Sequence, residues 1–197
     1  MGLLNSRDFG LPHQRCRLYV AGVRADSLRY KFRWPQPCVA ALPDVLSPKG
    51  PGDIRGGLHP KDMQKGRSRR LAKQAYRRAM AAGVDPRTTM VAVDVDCSDR
   101  YATGQICYIP CLTASRGRSG GPWISNRGRR TTVSELFRFQ GISEAAIYWV
   151  GAGVSPRQIG GMLGNAILQN VSDVVLPQLL HVAGLTSGLL QVQDVLE

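Results

Sequence analysis

The chain has 197 residues, a length that suits one domain or one domain plus part of another. Its hydrophobic fraction of 43% excludes wholesale disorder. Lys and Arg number 26 against 14 Asp and Glu, and the resulting charge of +12 favours a polyanionic partner, nucleic acid ahead of an anionic membrane surface. No stretch approaches the roughly 20 apolar residues of a membrane-spanning helix, so no membrane partner is expected.

In chain order, Cys16 to Val23 reads as a buried strand, and Trp34-Pro-Gln-Pro37 closes that region because prolines end regular ladders. Ala40 to His59 has prolines and glycines with little periodicity and reads as a loop or linker. Lys61 to Ala82 reads as a helix with Leu71, Ala75, Tyr76 and Ala79 on one side, ended by Gly83. Met90 to Asp96 alternates with period two, as a half-exposed strand does, and Ile106 to Leu112 is a second short strand. Ser115 to Pro122 is a glycine-rich basic loop. Thr132 and Glu135 form a capping box that starts a helix ending near Gly141. Ser155, Pro156 and Gln158 mark another helix start. Ile167, Leu168, Val171, Val174, Val175 and Leu179 follow helical spacing, and Pro177 kinks that helix or ends its first part.

The five cysteines, 16, 38, 97, 107 and 111, are irregularly spaced and lack a secretory context, which points to reduced thiols inside a cell. Cys107 and Cys111 have three residues between them, but no second pair completes a zinc set, and Asp94 and Asp96 lack a third ligand. No metal site is expected. Asn170-Val171-Ser172 matches a glycosylation sequon, yet its place in an apolar helical pattern gives the match no such meaning.

The segment Asn5-Ser-Arg-Asp-Phe-Gly-Leu-Pro-His-Gln-Arg-Cys-Arg-Leu-Tyr-Val-Ala-Gly22 carries the most information. It sets Arg15 and Arg17 two apart before an apolar run. In an extended segment such residues point to one side, so both guanidiniums can converge on one planar, oxygen-rich ligand. The block resembles the Asp-Phe-Gly-x-Pro-Gln-x-Arg-x-Arg motif of DNA cytosine-5 methyltransferases. Arg130-Thr-Thr-Val-Ser-Glu-Leu-Phe-Arg-Phe-Gln-Gly141 is similar to the family's Thr-x-x-Glu-x-x-Arg-Leu-Gln-Gly helix, and Gln158 to Ala166 to its terminal Gln-x-Gly-Asn-Ala segment. The three come in the family's order.

The resemblance implies a reaction in which a cysteine thiolate attacks C6 of a flipped-out cytosine and C5 takes the methyl of S-adenosylmethionine. Flipping is needed because the reacting atoms are inaccessible within the stack. It implies that Arg17 hydrogen-bonds the flipped base near its carbonyl oxygen and that Arg15 arranges the site, work that suits a permanently charged, fork-shaped donor. Gly164, Asn165 and Ala166 match the segment bordering the cofactor pocket. Glu135, Arg138 and Gln140 match an architectural segment that organises the recognition region. Arg116, Arg118 and Ser119 fall in the target-recognition region, where a basic loop suits phosphate and groove contacts. The basic run that holds Arg67, Arg69, Arg70 and Lys73 suits a phosphate track to DNA, although a nuclear-localisation signal or a solvated helix has the same sequence signature.

The implied fold is α/β: the C-terminal part of an S-adenosylmethionine-dependent, Rossmann-like methyltransferase domain plus a small mixed recognition region. Residues 1–34 would be its last strand region, 35–130 the recognition region, and 131–197 the organising helix and the helices that return to the catalytic domain. The family's Phe-x-Gly-x-Gly, Pro-Cys-Gln and Glu-Asn-Val motifs precede the arginine pair, and none occurs here; Pro37-Cys38 and Pro110-Cys111 follow the pair and lack the Gln. The expectation is therefore a C-terminal portion, inactive alone, with double-stranded DNA and an N-terminal catalytic half as partners. Its apolar C-terminal helix would lack a surface to cover. Residence would be intracellular, nuclear in a eukaryote and otherwise cytoplasmic. Two other readings stay open: a non-catalytic DNA- or RNA-binding module derived from such an enzyme, and a basic structural protein.

Overall fold

Strand β1 (Gly2–Asn5) pairs antiparallel with β2 (Cys16–Tyr19), with Leu3 opposite Leu18 and Leu4 opposite Arg17. The structure is a computed structural model that describes residues 1–38, 44–50, 53, 66–101 and 104–186. A short 3₁₀ helix, Ser6–Phe9, follows β1, and the Asn5 side chain caps it. The buried strand expected over Cys16 to Val23 is shorter and more open than its composition suggests. β2 ends at Tyr19, and Leu18 is 63% exposed. The reason is that only one face of this two-stranded hairpin is covered.

Helix α5 (Gln169–Val182) covers it and runs through Pro177 rather than ending there. Leu168, Val171 and Val175 pack with Leu4, Phe9 and Leu11 in one core, joined by Tyr19 and Trp34. So the chain's own beginning supplies a surface for the helix that was expected to lack one. Leu176 and Leu180, on the other side, stay exposed. The side chain of Asn170 fastens the pair, donating from Nδ2 to the carbonyls of Phe9 at 2.7 Å and Ser6 at 3.1 Å.

The second body is a four-stranded antiparallel sheet in the order β4 (Gln105–Ile106), β3 (Val91–Val93), β5 (Trp123–Ile124), β6 (Arg129–Arg130). β3 is buried throughout, not half-exposed. The alternation is real, but both faces are covered. Val91 and Val93 meet Ala72, Ala75 and Ala79 of helix α1 (Arg67–Ala81), while Ala92 meets Val45, Leu46, Ile109 and Phe139. Gly83, at φ +76°, ends α1 as its position predicts; the 61–65 part of the expected helix lies outside the described residues. Of the expected loop over 40–59, the described pieces are structural: Val45 and Leu46 are core, and Ser47 and Asp53 bind arginines. The strand expected over Ile106 to Leu112 reduces to β4 and one parallel bridge between His13 and Ile109.

Ser115 to Pro122 is not a loop. Thr113 caps a short helix, α2 (Ala114–Arg118), before Gly120 and Gly121 turn the chain. α2 lies against α4 (Pro156–Asn165), and the glycines are there for contact. A Cβ on Gly117 would stand 1.8 Å from the Gly160 carbonyl oxygen, and one on Gly160 2.2 Å from that of Gly117. Both capping boxes form as the sequence indicates, Thr132 with Glu135 at the start of α3 (Val133–Phe139) and Ser155 with Gln158 at the start of α4. All five cysteines are free. Among the described residues no helix is long and apolar enough to cross a membrane.

The α2–α4 contact is backbone on backbone, so an added methyl must push the helices apart. Gly117→Ala or Gly160→Ala should cost about 2–3 kcal/mol in a denaturant or thermal melt, in the range of overpacked cores. Gly153→Ala, at φ +71° with nothing within 4 Å of its Cβ, should cost only about 1 kcal/mol.

Candidate functional site

Residues 12–14 run alongside 109: the Ile109 amide donates to Pro12 O at 2.8 Å and the Gln14 amide to Ile109 O at 2.9 Å. That pairing carries Arg15 to the Cys111-Leu112 segment. Arg15 is 4% exposed. Its Nη1 donates to the carbonyls of Leu112 and, at 3.1 Å, Gly164; Nη2 donates to Ala166 O at 3.0 Å. Gly164 and Ala166 sit at the C-terminal end of α4, where carbonyls lack intrahelical partners and carry the negative end of the helix dipole. A buried cation needs such compensation. Burial first, and then the neighbouring Arg17 charge, pull the Arg15 pKa below its ordinary value.

Convergence of both guanidiniums on one ligand is therefore not what the geometry gives, because the donors of Arg15 are turned inward. Arg17 is the open one. It is exposed, with Nη1 donating to Cys16 O at 3.1 Å and Nη2 to the Cys111 sulfur at 3.7 Å. The Gly-Asn-Ala corner does lie at the arginine pair, through Arg15. Its glycine, however, serves packing: a Cβ on Gly164 would stand 2.3 Å from Thr113 O. Asn165 alone of the three is exposed.

His13 is the residue the sequence reading passed over. It is fully buried, its Nε2 accepts the Leu112 amide at 3.0 Å, and its Nδ1 lies 3.1 Å from Phe139 O. Those partners require a neutral ring with the proton on Nδ1. Burial, then the Arg15 charge, lower its pKa from 6.5 to about 3. The available signal was a departure: His13 stands where the resembled motif has Gln, whose amide can also accept and donate.

Glu135, Arg138 and Gln140 tie elements together. The fully buried Glu135 carboxylate receives both Arg129 Nη groups, at 2.8 and 3.0 Å, and the amides of Ser47 and Thr132. Burial alone would raise its pKa; the Arg129 guanidinium and those amides outweigh it and hold the carboxyl below its ordinary value. Arg129 also reaches Asp53 at 2.8 Å. Arg138 donates to Ser47 Oγ at 2.7 Å, and Gln140 Nε2 donates to Leu163 O at 2.6 Å.

The proposed DNA contacts divide. Arg116 is held by Asp94 at 2.6 Å, and Arg130 by Asp96 at the same distance, so these aspartates are ion-pair partners on a turn. Arg118 is exposed, its stem lies over Gly161, and Ser119 Oγ donates to Ser115 O. Arg67, Arg69, Arg70 and Lys73 belong to α1, on the sheet body, and Arg67 and Arg70 both reach Asp99. No described hydrogen bond or ion pair joins α1 to the Arg15 corner.

A buried arginine at a helix end, an exposed arginine two residues on and an organising Glu helix make up one connected arrangement. Residues 1–181 match the family model for C-5 cytosine-specific DNA methylases, and the chain belongs to that family. The family's enzymes are DNA cytosine-5 methyltransferases. No curated protein matches the chain.

Two measurements follow from this geometry. Arg15→Met should cost about 3 kcal/mol of stability, since it strands buried carbonyls, whereas Arg17→Ala should stay within about 0.5 kcal/mol in the same melts. The His13 pKa is lower in the fold than in the unfolded chain. Its stabilisation is therefore complete above pH 6.5 and lost as pH falls towards 3, by about 1.4 kcal/mol per unit. Between pH 7 and 5 the chain should lose roughly 2 kcal/mol by this route, and His13→Gln should flatten that part of the stability profile.

Proposed function

We propose that this chain supplies the base-recognising and DNA-contacting part of a cytosine-5 methyl transfer to DNA, within a Rossmann-like methyltransferase fold whose remaining parts lie outside these 197 residues. Residues 1–34 and 131–197 take the catalytic-domain side and 35–130 the recognition region. The observation that carries the reading is the Arg15 junction. It ties the strand start to Gly164 and Ala166 and leaves Arg17, two residues on and next to Cys111, as the exposed fork.

In this reading Arg17 is the catalytic residue. It donates hydrogen bonds to the carbonyl oxygen of a flipped cytosine and, being always charged, favours negative charge developing on that ring. Arg15 is a positioning residue that sets the height and direction of the strand bearing Arg17. Glu135, Arg138 and Gln140 position the recognition region, and Arg118 and Ser119 lie where a phosphate can be met. The nucleophilic cysteine has no counterpart by motif among these residues.

S-adenosylmethionine is the methyl donor that the family implies. The residues present fit it poorly: the Gly164 and Ala166 carbonyls are taken by Arg15, Gly164 is closed by Thr113, and only the Asn165 amide is open. Asn165 can offer one edge of a pocket and no more, so the rest of the cofactor site is assigned to other polypeptide, as an N-terminal catalytic half. The commitment of both Arg15 Nη groups to backbone carbonyls also suits a second reading, a DNA-binding module without chemistry.

Transfer of labelled methyl groups from S-adenosylmethionine to duplex DNA separates the readings. The chain alone should be inactive, and activity should emerge when a family N-terminal half bearing Pro-Cys-Gln is added. In that mixture Arg17→Ala should lower turnover at least 100-fold while DNA affinity changes less than threefold. Activity of the chain alone would place the nucleophile here and end the split reading. DNA binding by a mixture that never transfers methyl groups would favour the module.

A further inference from the structure

Helix α1 is cationic on one side and apolar on the other, and the two sides do not mix. Leu71, Ala72, Ala75 and Ala79 are buried. Arg69, Arg70, Lys73, Arg77 and Arg78 line a groove of about 880 Å³ on the outer side, with the carboxylate of Asp99 at one end. Arg69, Lys73 and Arg77 follow at steps of four residues, about 6 Å each along the helix, a row about 12 Å long.

We infer that this outer side of α1 is a track for the sugar-phosphate backbone of duplex DNA, read without regard to sequence, and that Asp99 limits its strength from within. Asp99 takes Arg67 Nε at 3.1 Å and Arg70 Nη2, while Arg67 also donates to Cys97 O at 2.8 Å. Arg67 and Arg70, two of the α1 cations assigned to DNA from the sequence, thereby share one carboxylate. Among the described residues no carboxylate pairs with Lys73 or Arg77, so these two carry the track. The inference draws on the DNA methylase family only for the choice of DNA as the polyanion.

The test uses the full chain and a fluorescent duplex of A·T pairs alone, which holds no cytosine and is blind to methyl transfer. Lys73→Gln with Arg77→Gln should weaken binding at least tenfold at 0.1 M salt. It should also reduce the slope of log affinity against log salt by about 1.8, that of two lost phosphate contacts. Asp99→Asn should tighten binding two- to fivefold, a gain that misfolding cannot produce. Thermal melts of the double variant should match the parent, because both side chains lie on the outer side of the helix. Unchanged affinity and slope in the double variant would overturn the track whatever the methyl-transfer assay gives. Equal or tighter binding of an RNA duplex of the same length would overturn the assignment to DNA.

Discussion

A positive charge buried among carbonyl oxygens organises this molecule. Among the described residues no carboxylate pairs with Arg15; the open end of α4 and the Leu112 carbonyl take that place. Such an ion is tolerable only while every donor is met, so the strand start, the segment after Cys111 and the end of α4 must all arrive together. His13 and Gln140 extend the same logic, joining Leu112 to Phe139 and α3 to α4. Pieces far apart in sequence are thereby held in register around a polar junction rather than a purely apolar core.

The body built on the four-stranded sheet uses charge differently. Glu135 and Asp53 meet Arg129, Asp94 meets Arg116, and Asp96 meets Arg130. A chain of +12 thus commits several of its arginines to its own architecture. The cationic face left on α1 belongs to the four-stranded sheet's body, and the open guanidinium of Arg17 to the hairpin. One is suited to long-range attraction of a polyanion, the other to a single directed contact.

What was legible in the sequence was local. The capping boxes at Thr132 and Ser155 and the stop at Gly83 depend on a few adjacent residues, and they formed where the letters placed them. The residues that misled were those whose meaning depends on a distant partner. Gly117 reads as a flexible loop until α4 is set against it, and Asn170 reads as an idle sequon until Ser6 and Phe9 stand opposite. Val91 to Val93 alternate as a half-exposed strand should, yet α1 covers one face and Phe139 and its neighbours the other. The arginine pair was found through its motif, but burial, not spacing, separates the inward Arg15 from the outward Arg17.

The meeting of Gly117 with Gly160 limits how such a protein can diversify. Where two main chains touch with no side chain between them, no rotamer change can absorb an extra atom, and no second substitution restores the fit. Evolutionary latitude is thereby displaced to the longer side chains around this seam. Exchanging those can reshape the surface, while the angle at which α2 meets α4 is set by the two main chains.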